Sequence, residues 1–302
     1  MPRLLSLLVA VAVGLSLPSS HLAVRDEGGG WRTWWRAEAA PGRWAAADAR
    51  VSAAVAWRTL RPGMELGELD LAGTGEARRL RVVLVRLDPV RFHFALESRT
   101  RGRRHGTWTV DSAPDAAVLA FNTGQFTSSR PWGWLVQEGR ERHVPGVGPL
   151  SMAVAADGGA IDLVPAARLP AYRAARRPQA AFQSYPTLLD GDGTVPDALR
   201  AAGRGVDVAH RDSRFAIGRL RDGRILLALT RVGDGDGTLG ELPLGLTVPE
   251  MAALMGALGC AQAVSLDGGI SGQLLARDDA GRTHAWRAWR KVPVGMVVYE
   301  RP

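Results

Sequence analysis

The sequence contains very little cysteine: Cys260 is the only one among 302 residues. An internal disulfide needs two cysteines, so a large hydrophobic core rather than a disulfide framework must hold the fold. The six histidines show no H-E-x-x-H pairing or other close ligand spacing, and each is interpreted as a surface or core residue. We therefore predict no metal site and no cofactor.

Several motifs of phosphate binding, nucleophilic catalysis and calcium binding are also missing. No glycine-rich run is followed by Lys-Ser or Lys-Thr, which excludes a P-loop. The segment 269–273 approaches the G-x-S-x-G nucleophile elbow, but Gln273 stands where its last glycine belongs. Two Asp-Gly-rich stretches, 190–197 and 233–241, lack the glycine and glutamate that an EF-hand loop requires, and they are interpreted as acidic turns.

The charge is one-sided, with 38 Lys and Arg residues against 30 Asp and Glu residues and a net charge of +8. Two interpretations stay open. An Arg-, Ala- and Gly-rich composition is typical of a GC-rich genome, whereas a basic surface attracts polyanions such as nucleic acid, anionic lipid or phosphate-bearing polysaccharide. The sequence has no helix-turn-helix, zinc-finger or RNA-binding motif, so we do not expect nucleic acid as a partner.

The one long hydrophobic run lies at the N-terminus. Arg3 precedes an apolar stretch, residues 4–17, and Pro18, Ser19 and Ser20 follow it. This run is too short to cross a bilayer comfortably but has the order of regions of a secretory signal. We predict a signal peptide over residues 1–23, a periplasmic or extracellular mature protein, and no stable membrane span after its removal.

Residues 24–50 are rich in Ala, Arg, Gly and Trp and are predicted to form a linker. Trp31, Trp34 and Trp35 follow a triple glycine at helical spacing. Their rings either pack on the next domain or form a platform for a sugar or a membrane interface. The main domain is predicted to cover residues 51–302.

The pattern of the main domain favours short strands joined by turns. Hairpins are predicted around Asp-Gly turns at 157–159 and 222–223. The clearest helix is predicted at 248–258, where Thr247 and Glu250 form a capping box at its start. The predicted fold class is α+β, with mixed, largely antiparallel sheets, a few flanking helices and a single catalytic-type domain.

Polar side chains mark the ends of several predicted strands, and they converge if those strands end on one side of a sheet. These residues are Asn122, Gln183, Ser184, Arg214 and Asp267. Glycines beside two of them would let a ligand approach the backbone, and their N–H groups can form an anion site. An arginine adds a cation that suits phosphate. The alternative is that each residue is an ordinary turn or cap residue.

The order of these blocks resembles the phosphodiester glycosidase domain family, from roughly residue 51 to the C-terminus. The matching blocks are FNTGQF, WLVQEG, AFQSYPTLLDGDG, SRFAIGRLRDGRILL, LTVPEMAALMGALGCAQAVSLDGGISGQLL and KVPVGMVVY. In that family the aspartate block usually resembles LDGGGSSTL and the asparagine block NGGFF. Here Ile270 replaces a glycine and Gly272 a serine, and Thr123 and Gln125 depart from the asparagine block.

The resemblance implies an exported hydrolase that cleaves a sugar-phosphate diester, as in an envelope or capsular glycan. Phosphate leaves as a weakly basic anion, so this reaction needs stabilisation of the leaving group and a carboxylate near the anomeric carbon more than a strong general acid. A non-catalytic module of the same fold that binds anionic glycans is the alternative.

The resemblance also implies the site residues. Asp267 would be the carboxylate, as base or nucleophile, and Asn122 and Arg214 would be the other catalytic residues. The partner carboxylate stays open, although three acidic residues lie in matching blocks: Asp190, Asp192 and Glu138. The substrate-binding candidates are Gly124, Gln183, Ser184, Gly268, Gly269, Ser271 and Gln273.

Overall fold

The computed structural model describes residues 20–26, 28–39, 43–74, 77, 79–98, 100–101, 104–105, 107–127, 130–232 and 245–301. Within these ranges the chain forms 23 β-strands and three α-helices. Every strand pair is antiparallel, from the first pair along the chain to the last. The predicted α+β class with largely antiparallel sheets is therefore confirmed.

The largest sheet has nine strands and positions the candidate site. Their order is β17 (Thr187–Leu189), β20 (Cys260–Ser265), β18 (Phe215–Leu220), β19 (Ile225–Val232), β5 (Leu80–Leu87), β4 (Met64–Gly73), β1 (His21–Arg25) and β2 (Trp31–Arg36), and β3 (Ala56–Arg61) also pairs with β4. The predicted hairpin at 222–223 joins β18 to β19. Strand β20, which leads to Asp267, lies beside β18 and is second from one edge of this sheet.

Two five-stranded sheets pack with the large sheet. One has the order β13 (Arg140–His143), β12 (Leu135–Gln137), β16 (Ala180–Ser184), β14 (Met152–Asp157), β15 (Ala160–Pro165). The other has the order β22 (Thr283–Trp286), β21 (Leu274–Arg277), β9 (Leu119–Asn122), β23 (Val294–Glu300), β6 (Phe92–Ser98). Two small pairs complete the strands: β7 (Thr100–Arg101) with β8 (Arg104–His105), and β10 (Phe126–Thr127) with β11 (Arg130–Pro131).

The described helices are α1 (Ala49–Ala53), α2 (Leu169–Ala175) and α3 (Val248–Ala257). All ten residues of α3 are buried, and Thr247 and Glu250 form the predicted capping box at its start. Gly259 follows the helix with φ of +91°, a conformation that favours glycine. A helix that is apolar all round belongs in a protein interior, which is where α3 lies.

Strand β5 shows that the large sheet is buried on both faces. Val83 and Val85 belong to the core that the two five-stranded sheets share. Val82 and Leu84, which point to the other face, belong to a second core around α3. Successive side chains of a strand alternate between faces, so an almost continuous apolar run here indicates a central strand.

The stretch that was predicted as a linker, residues 24–50, carries ordered structure of the large sheet. It contains β2 and the last two residues of β1, and Trp35 and Trp44 are packed in the second core. Leu22, within the predicted signal peptide, is fully buried and pairs with Gly73 of β4. Residues 1–19 and the acidic stretch 233–241 lie outside the described residues, so the predictions for them stay predictions.

Candidate active site

Asp267 lies two residues beyond the C-terminal end of β20, which pairs with β17 on one side and β18 on the other. Its backbone N–H donates to the carbonyl of Thr123 at 3.1 Å, and the preceding Leu266 N–H donates to Phe215 O at 2.8 Å. The aspartate is thus fixed between the end of β9 in one sheet and the start of β18 in another. Two sheets hold its backbone, so its carboxylate has a defined position.

The two glycines that follow Asp267 are required by close packing. A Cβ atom on Gly268 would lie 2.4 Å from the carbonyl oxygen of Ser213. Gly269 has φ of +55°, and its N–H donates to the same Ser213 oxygen at 2.7 Å. These contacts bring the aspartate loop against residues 212–214. They also occupy the Gly269 N–H, which is therefore not free to bind a phosphate.

Asn122 holds this loop through its side-chain amide. Its Nδ2 donates to the backbone carbonyl of Asp267 at 2.7 Å, and its Oδ1 accepts from the backbone N–H of Gln273 at 2.8 Å. The side chain of Gln273 accepts from Val110 N–H at 2.8 Å. Asn122 and Gln273 are fully buried, so the structure places both as residues that position Asp267 through its backbone.

The environment of the Asp267 carboxyl raises its pKa to about 6. Burial is the main cause, and the nearby Asp212 carboxylate acts in the same direction. A hydrogen bond from the Ser271 hydroxyl and the positive charge of Arg290 act in the opposite direction. Asp267 is thus a carboxyl that can change its charge near neutral pH, as a base in a catalytic site must.

Asp212 is a second carboxylate at this loop, and the sequence analysis missed it. A Cβ atom on Gly269 would lie only 2.7 Å from its Oδ2, so the carboxylate rests against the glycine. The Asp212 carboxylate accepts from Ser213 N–H at 2.8 Å and lies 3.8 Å from Nε2 of His210. Burial raises its pKa, and the charge of Arg214 opposes that effect.

Arg214 lies next to the loop, but much of its guanidinium binds protein backbone. Its Nε donates to Leu246 O at 2.8 Å, and a terminal nitrogen donates to the carbonyl of His210. Burial lowers the pKa of Arg214, and the neighbouring Asp212 carboxylate raises it. Its Cα lies 3.4 Å from the position of a Cβ on Gly268. Asn122, Arg214, Asp267 and Ser271 therefore meet around one loop despite their separation in sequence.

Arg290 is a second cation at the site and was not recognised in the sequence. Its backbone N–H donates to Ile270 O at 2.9 Å, and its guanidinium lies 4.5 Å from the centre of the Phe126 ring. Its charge acts on the Asp267 carboxyl. Arg290 is exposed, so the cation–π contact holds a solvent-accessible guanidinium beside the aspartate loop, where it can meet an anion.

Three predicted substrate-binding residues lie in the wall behind the site. A Cβ atom on Gly124 would lie 2.4 Å from Gln183 O, so glycine permits close packing of β16 there. The Gln183 amide is bound within the protein, with Trp134 N–H, Gly146 N–H and O, and Ser151 Oγ as partners. The Ser184 hydroxyl donates to Ser265 O. The side chains of Gln183 and Ser184 thus face the interior.

The three acidic residues from matching blocks lie away from Asp267. Asp190 and Asp192 are in the turn after β17, where Gly193 is close to Cys260 at the start of β20. Asp267 follows the other end of β20, and the length of a strand gives a separation of about 15–20 Å. Glu138 is in the turn between β12 and β13, with φ of 54°.

Two further observations apply to the described residues. They contain no group of three or more His, Cys, Asp or Glu side chains arranged to hold a metal ion. None of their helices has the length and apolar character needed to cross a membrane.

Comparisons with solved structures show the same fold in other proteins. A hypothetical protein from Synechocystis is 16% identical, with a TM-score of 0.51, and the alignment covers 90% of this chain but only 65% of that one. The catalytic domain of zebrafish N-acetylglucosamine-1-phosphodiester alpha-N-acetylglucosaminidase, auto-inhibited by its pro-peptide, is 14% identical, with a TM-score of 0.55 and coverage of 85% of this chain and 87% of that one.

The comparison with curated proteins gave no match. A family model gave one, over residues 115–299, and its description is phosphodiester glycosidase. The match includes β9, β18, α3 and β20, which build the site around Asp267. The chain belongs to the phosphodiester glycosidase family.

Proposed function

We propose that the chain is an exported hydrolase that cleaves the glycosidic bond of a sugar-phosphate diester. The observation that carries this proposal is the meeting of two carboxylates, Asp267 and Asp212, at one glycine loop beside the Arg290 guanidinium. Membership of the family supports a glycosidase-type activity. The name of the similar zebrafish enzyme refers to an N-acetylglucosamine phosphodiester, and that class of bond is the one we propose for this chain.

In the proposed reaction, the bond between the anomeric carbon and a phosphate oxygen breaks, and its electron pair leaves with the phosphate. Arg290 stabilises the charge on that leaving group. Asp267, largely ionised at neutral pH because its pKa is about 6, either attacks the anomeric carbon or accepts a proton from the attacking water. Water supplies the new hydroxyl of the sugar, and its proton passes to a carboxylate and then to solvent.

Asp212 is the partner carboxylate in this proposal. Burial raises the pKa of each of the two carboxyls, and the Asp212 carboxylate adds a smaller contribution that raises the pKa of Asp267. The imidazole of His210, 3.8 Å from the Asp212 carboxylate, is 62% exposed.

The test is hydrolysis of a 4-nitrophenyl diester of a sugar 1-phosphate in water labelled with ¹⁸O. Cleavage of the glycosidic bond gives free sugar that contains the label and an unlabelled 4-nitrophenyl phosphate. Label in the phosphate instead would contradict the proposed bond cleavage. Asp212→Asn should lower the rate without changing the products, because the same bond breaks more slowly.

A panel of sugars and both anomers identifies the preferred substrate. If no diester in the panel is hydrolysed but the same diesters bind, the protein is a binding module of the same fold and not an enzyme. Ile270 and Gly272 depart from the family pattern, and Ile270 is 42% exposed at the Asp267 loop. Because an exposed side chain at this loop can change which sugar binds, the panel is necessary.

Export is part of the same proposal, and the apolar run at residues 4–17 supports it. Leu22 is buried in β1, so removal of residues 1–23 would cut through a strand of the large sheet. We therefore propose cleavage at or before Ser20. Mass spectrometry of the protein from the cell envelope or culture medium gives its first residue, and an intact N-terminus in the cytosol would contradict export.

A further inference from the structure

The N-terminal part of the large sheet borders an open cavity of about 740 Å³ between β2 and the segment that leads to α1. Three tryptophans line it: Trp34, Trp35 and Trp44. The rings of Trp35 and Trp44 are 5.4 Å apart between centroids and inclined at 52°. Its volume is in the range of small-molecule sites. Trp34 is only partly buried, whereas Trp35 and Trp44 are 4% and 6% exposed and form the floor of the cavity. A partly exposed aromatic ring is suited to the apolar face of a sugar ring.

Two cations at the same cavity remain available to a ligand. The guanidinium groups of Arg36 and Arg43 are exposed and have no hydrogen bond or ion pair with another residue in the described part of the chain. Arg50, by contrast, binds the Asp48 carboxylate at 2.5 Å and Thr33 O at 3.0 Å. An arginine fork binds phosphate or carboxylate oxygens in pairs.

The indole N–H groups give an independent indication of a ligand. Nε1 of Trp34 and Nε1 of Trp35 are buried and have no hydrogen-bond partner among the described residues. Trp35 is only 4% exposed, whereas Nε1 of Trp44, in the same wall, donates to Ala37 O at 3.1 Å. A buried donor without an acceptor is costly. A small shift of the two rings toward a ligand that offers oxygen atoms would satisfy both donors.

The cavity is separate from the site around Asp267. Its described lining residues fall within 33–39 and 43–50, and β2 is the last strand at one edge of the large sheet. Strands β20 and β18, which hold the Asp267 loop, lie toward the opposite edge. The cavity shares none of its lining residues with the candidate active site.

We propose that this cavity binds a carbohydrate that carries a phosphate or carboxylate group. The guanidinium groups of Arg36 and Arg43 bind its anionic group, and the sugar lies over the partly buried Trp34, with Trp35 and Trp44 forming the floor beneath. The indole N–H groups of Trp34 and Trp35, which have no partner among the described residues, donate to its oxygens after the small shift. Glu38, also at the cavity, can accept from sugar hydroxyls. Such a site holds an anionic glycan on the protein independently of the Asp267 loop.

The test is a titration of the ¹⁵N-labelled protein with glucose 1-phosphate, followed by the NMR signals of the indole N–H groups. Trp34→Phe and Trp35→Phe each remove one signal and so assign it. Both signals should shift with one dissociation constant. Glucose alone and inorganic phosphate alone should each bind at least about tenfold more weakly, because each lacks half of the recognised groups.

The double variant Arg36→Ala/Arg43→Ala should weaken binding at these signals by about tenfold or more. The matched control is Arg32→Ala, which changes an exposed arginine of the same strand that is paired with Asp26 rather than lining the cavity. Binding with equal affinity in the double variant and the control would overturn the proposal. The proposal would also be overturned if the indole signals of Trp34 and Trp35 did not shift while signals elsewhere in the protein showed saturation with the ligand.

Discussion

The sequence Leu-Asp-Gly occurs twice in the chain, after two strands that pair with each other. Asp190 follows β17, and Asp267 follows β20, which runs in the opposite direction. A Cβ atom on Gly191 would have its nearest neighbour at 3.8 Å, whereas one on Gly268 would lie 2.4 Å from a backbone oxygen. The same tripeptide therefore forms an open turn at one end of the β17–β20 strand pair and a tightly packed loop at the other end.

The difference between these turns lies in what surrounds each carboxylate. Asp190 has a raised pKa from burial and from Asp192, its neighbour in the same turn. Asp267 has the Ser271 hydroxyl of its own loop beside it, together with a carboxylate, Asp212, and a guanidinium, Arg290, that come from distant parts of the chain. A catalytic carboxylate needs such convergent partners, so local sequence alone does not separate the two aspartates.

The largest expected effect is on the rate of hydrolysis. Asp267→Asn keeps the size of the side chain but removes its charge and basic oxygen, and we expect the rate to fall about a hundredfold to ten-thousandfold. Asp190→Asn, in the other Leu-Asp-Gly turn, should hydrolyse the same diester at nearly the parental rate. If the two variants lost hydrolysis rate equally, at the same fraction of folded protein, the two turns would not differ in their role in catalysis.

The sequence predicted the local features of the fold well. Helix α3 begins at its capping box and is followed by a left-handed glycine, and the hairpin of β18 and β19 turns at Asp222-Gly223, because neighbouring residues alone determine these structures. The spacing of Trp31, Trp34 and Trp35 indicated a helix, but the segment is β2 because pairing with β1 adds a long-range constraint. Tertiary pairing overrides a weak local pattern.

The candidate site was only partly predictable for the same reason. Asp267 stands out because two glycines follow it, and Asn122 stands out at the end of an apolar strand. Asp212 and Arg290 have no such local sign, since they reach Asp267 only when β18 and the segment before β23 are in place. Gln183 also lies near the end of a strand, but its amide faces the interior. The position of a residue in the sequence does not show whether its side chain faces the interior or a ligand.

The second expected effect is on stability as a function of pH. The pKa of Asp267 rises from 3.8 to about 6 on folding, so the folded state binds this proton more tightly than the unfolded chain does. Ionisation therefore costs stability, progressively from about pH 4 to pH 6, and the cost approaches about 3 kcal/mol above that range. Asp267→Asn should be more stable than the parent at pH 7 and equal to it below pH 4.

Asp192 gives a control of the opposite sign. The Thr194 hydroxyl and N–H hold its pKa below 3.8, so its contribution to stability is present above pH 4 and is lost as the pH falls. Asp192→Asn should thus be slightly less stable than the parent at pH 7. Urea denaturation at several pH values measures both differences, and an Asp267→Asn protein without a gain at pH 7 would contradict the assigned environment.

The third expected effect comes from the glycines themselves. Gly268→Ala places a methyl group against the Ser213 carbonyl, and the necessary backbone shift should cost about 1–3 kcal/mol of unfolding free energy. Gly191→Ala meets no close atom, and Gly191 is not among the residues with positive φ, so this variant should have parental stability or a gain of about 0.4–1 kcal/mol. Similar denaturation midpoints for the two variants would contradict the difference in packing.

The smallest expected effect concerns Arg290, which is exposed and acts on Asp267 through charge. Arg290→Ala should raise KM for a phosphodiester about two- to fivefold, a range typical of an exposed ion pair. It should also raise the pKa of Asp267 further, because a cation that lowers it is removed, and the acidic limb of the pH–rate profile should move to higher pH. Arg290→Lys keeps the charge, so the acidic limb of its pH–rate profile should lie at the parental pH, although the planar contact with Phe126 is lost. A limb that stays in place in Arg290→Ala would show that this guanidinium does not act on Asp267, and the cation of the site would then have to be sought elsewhere.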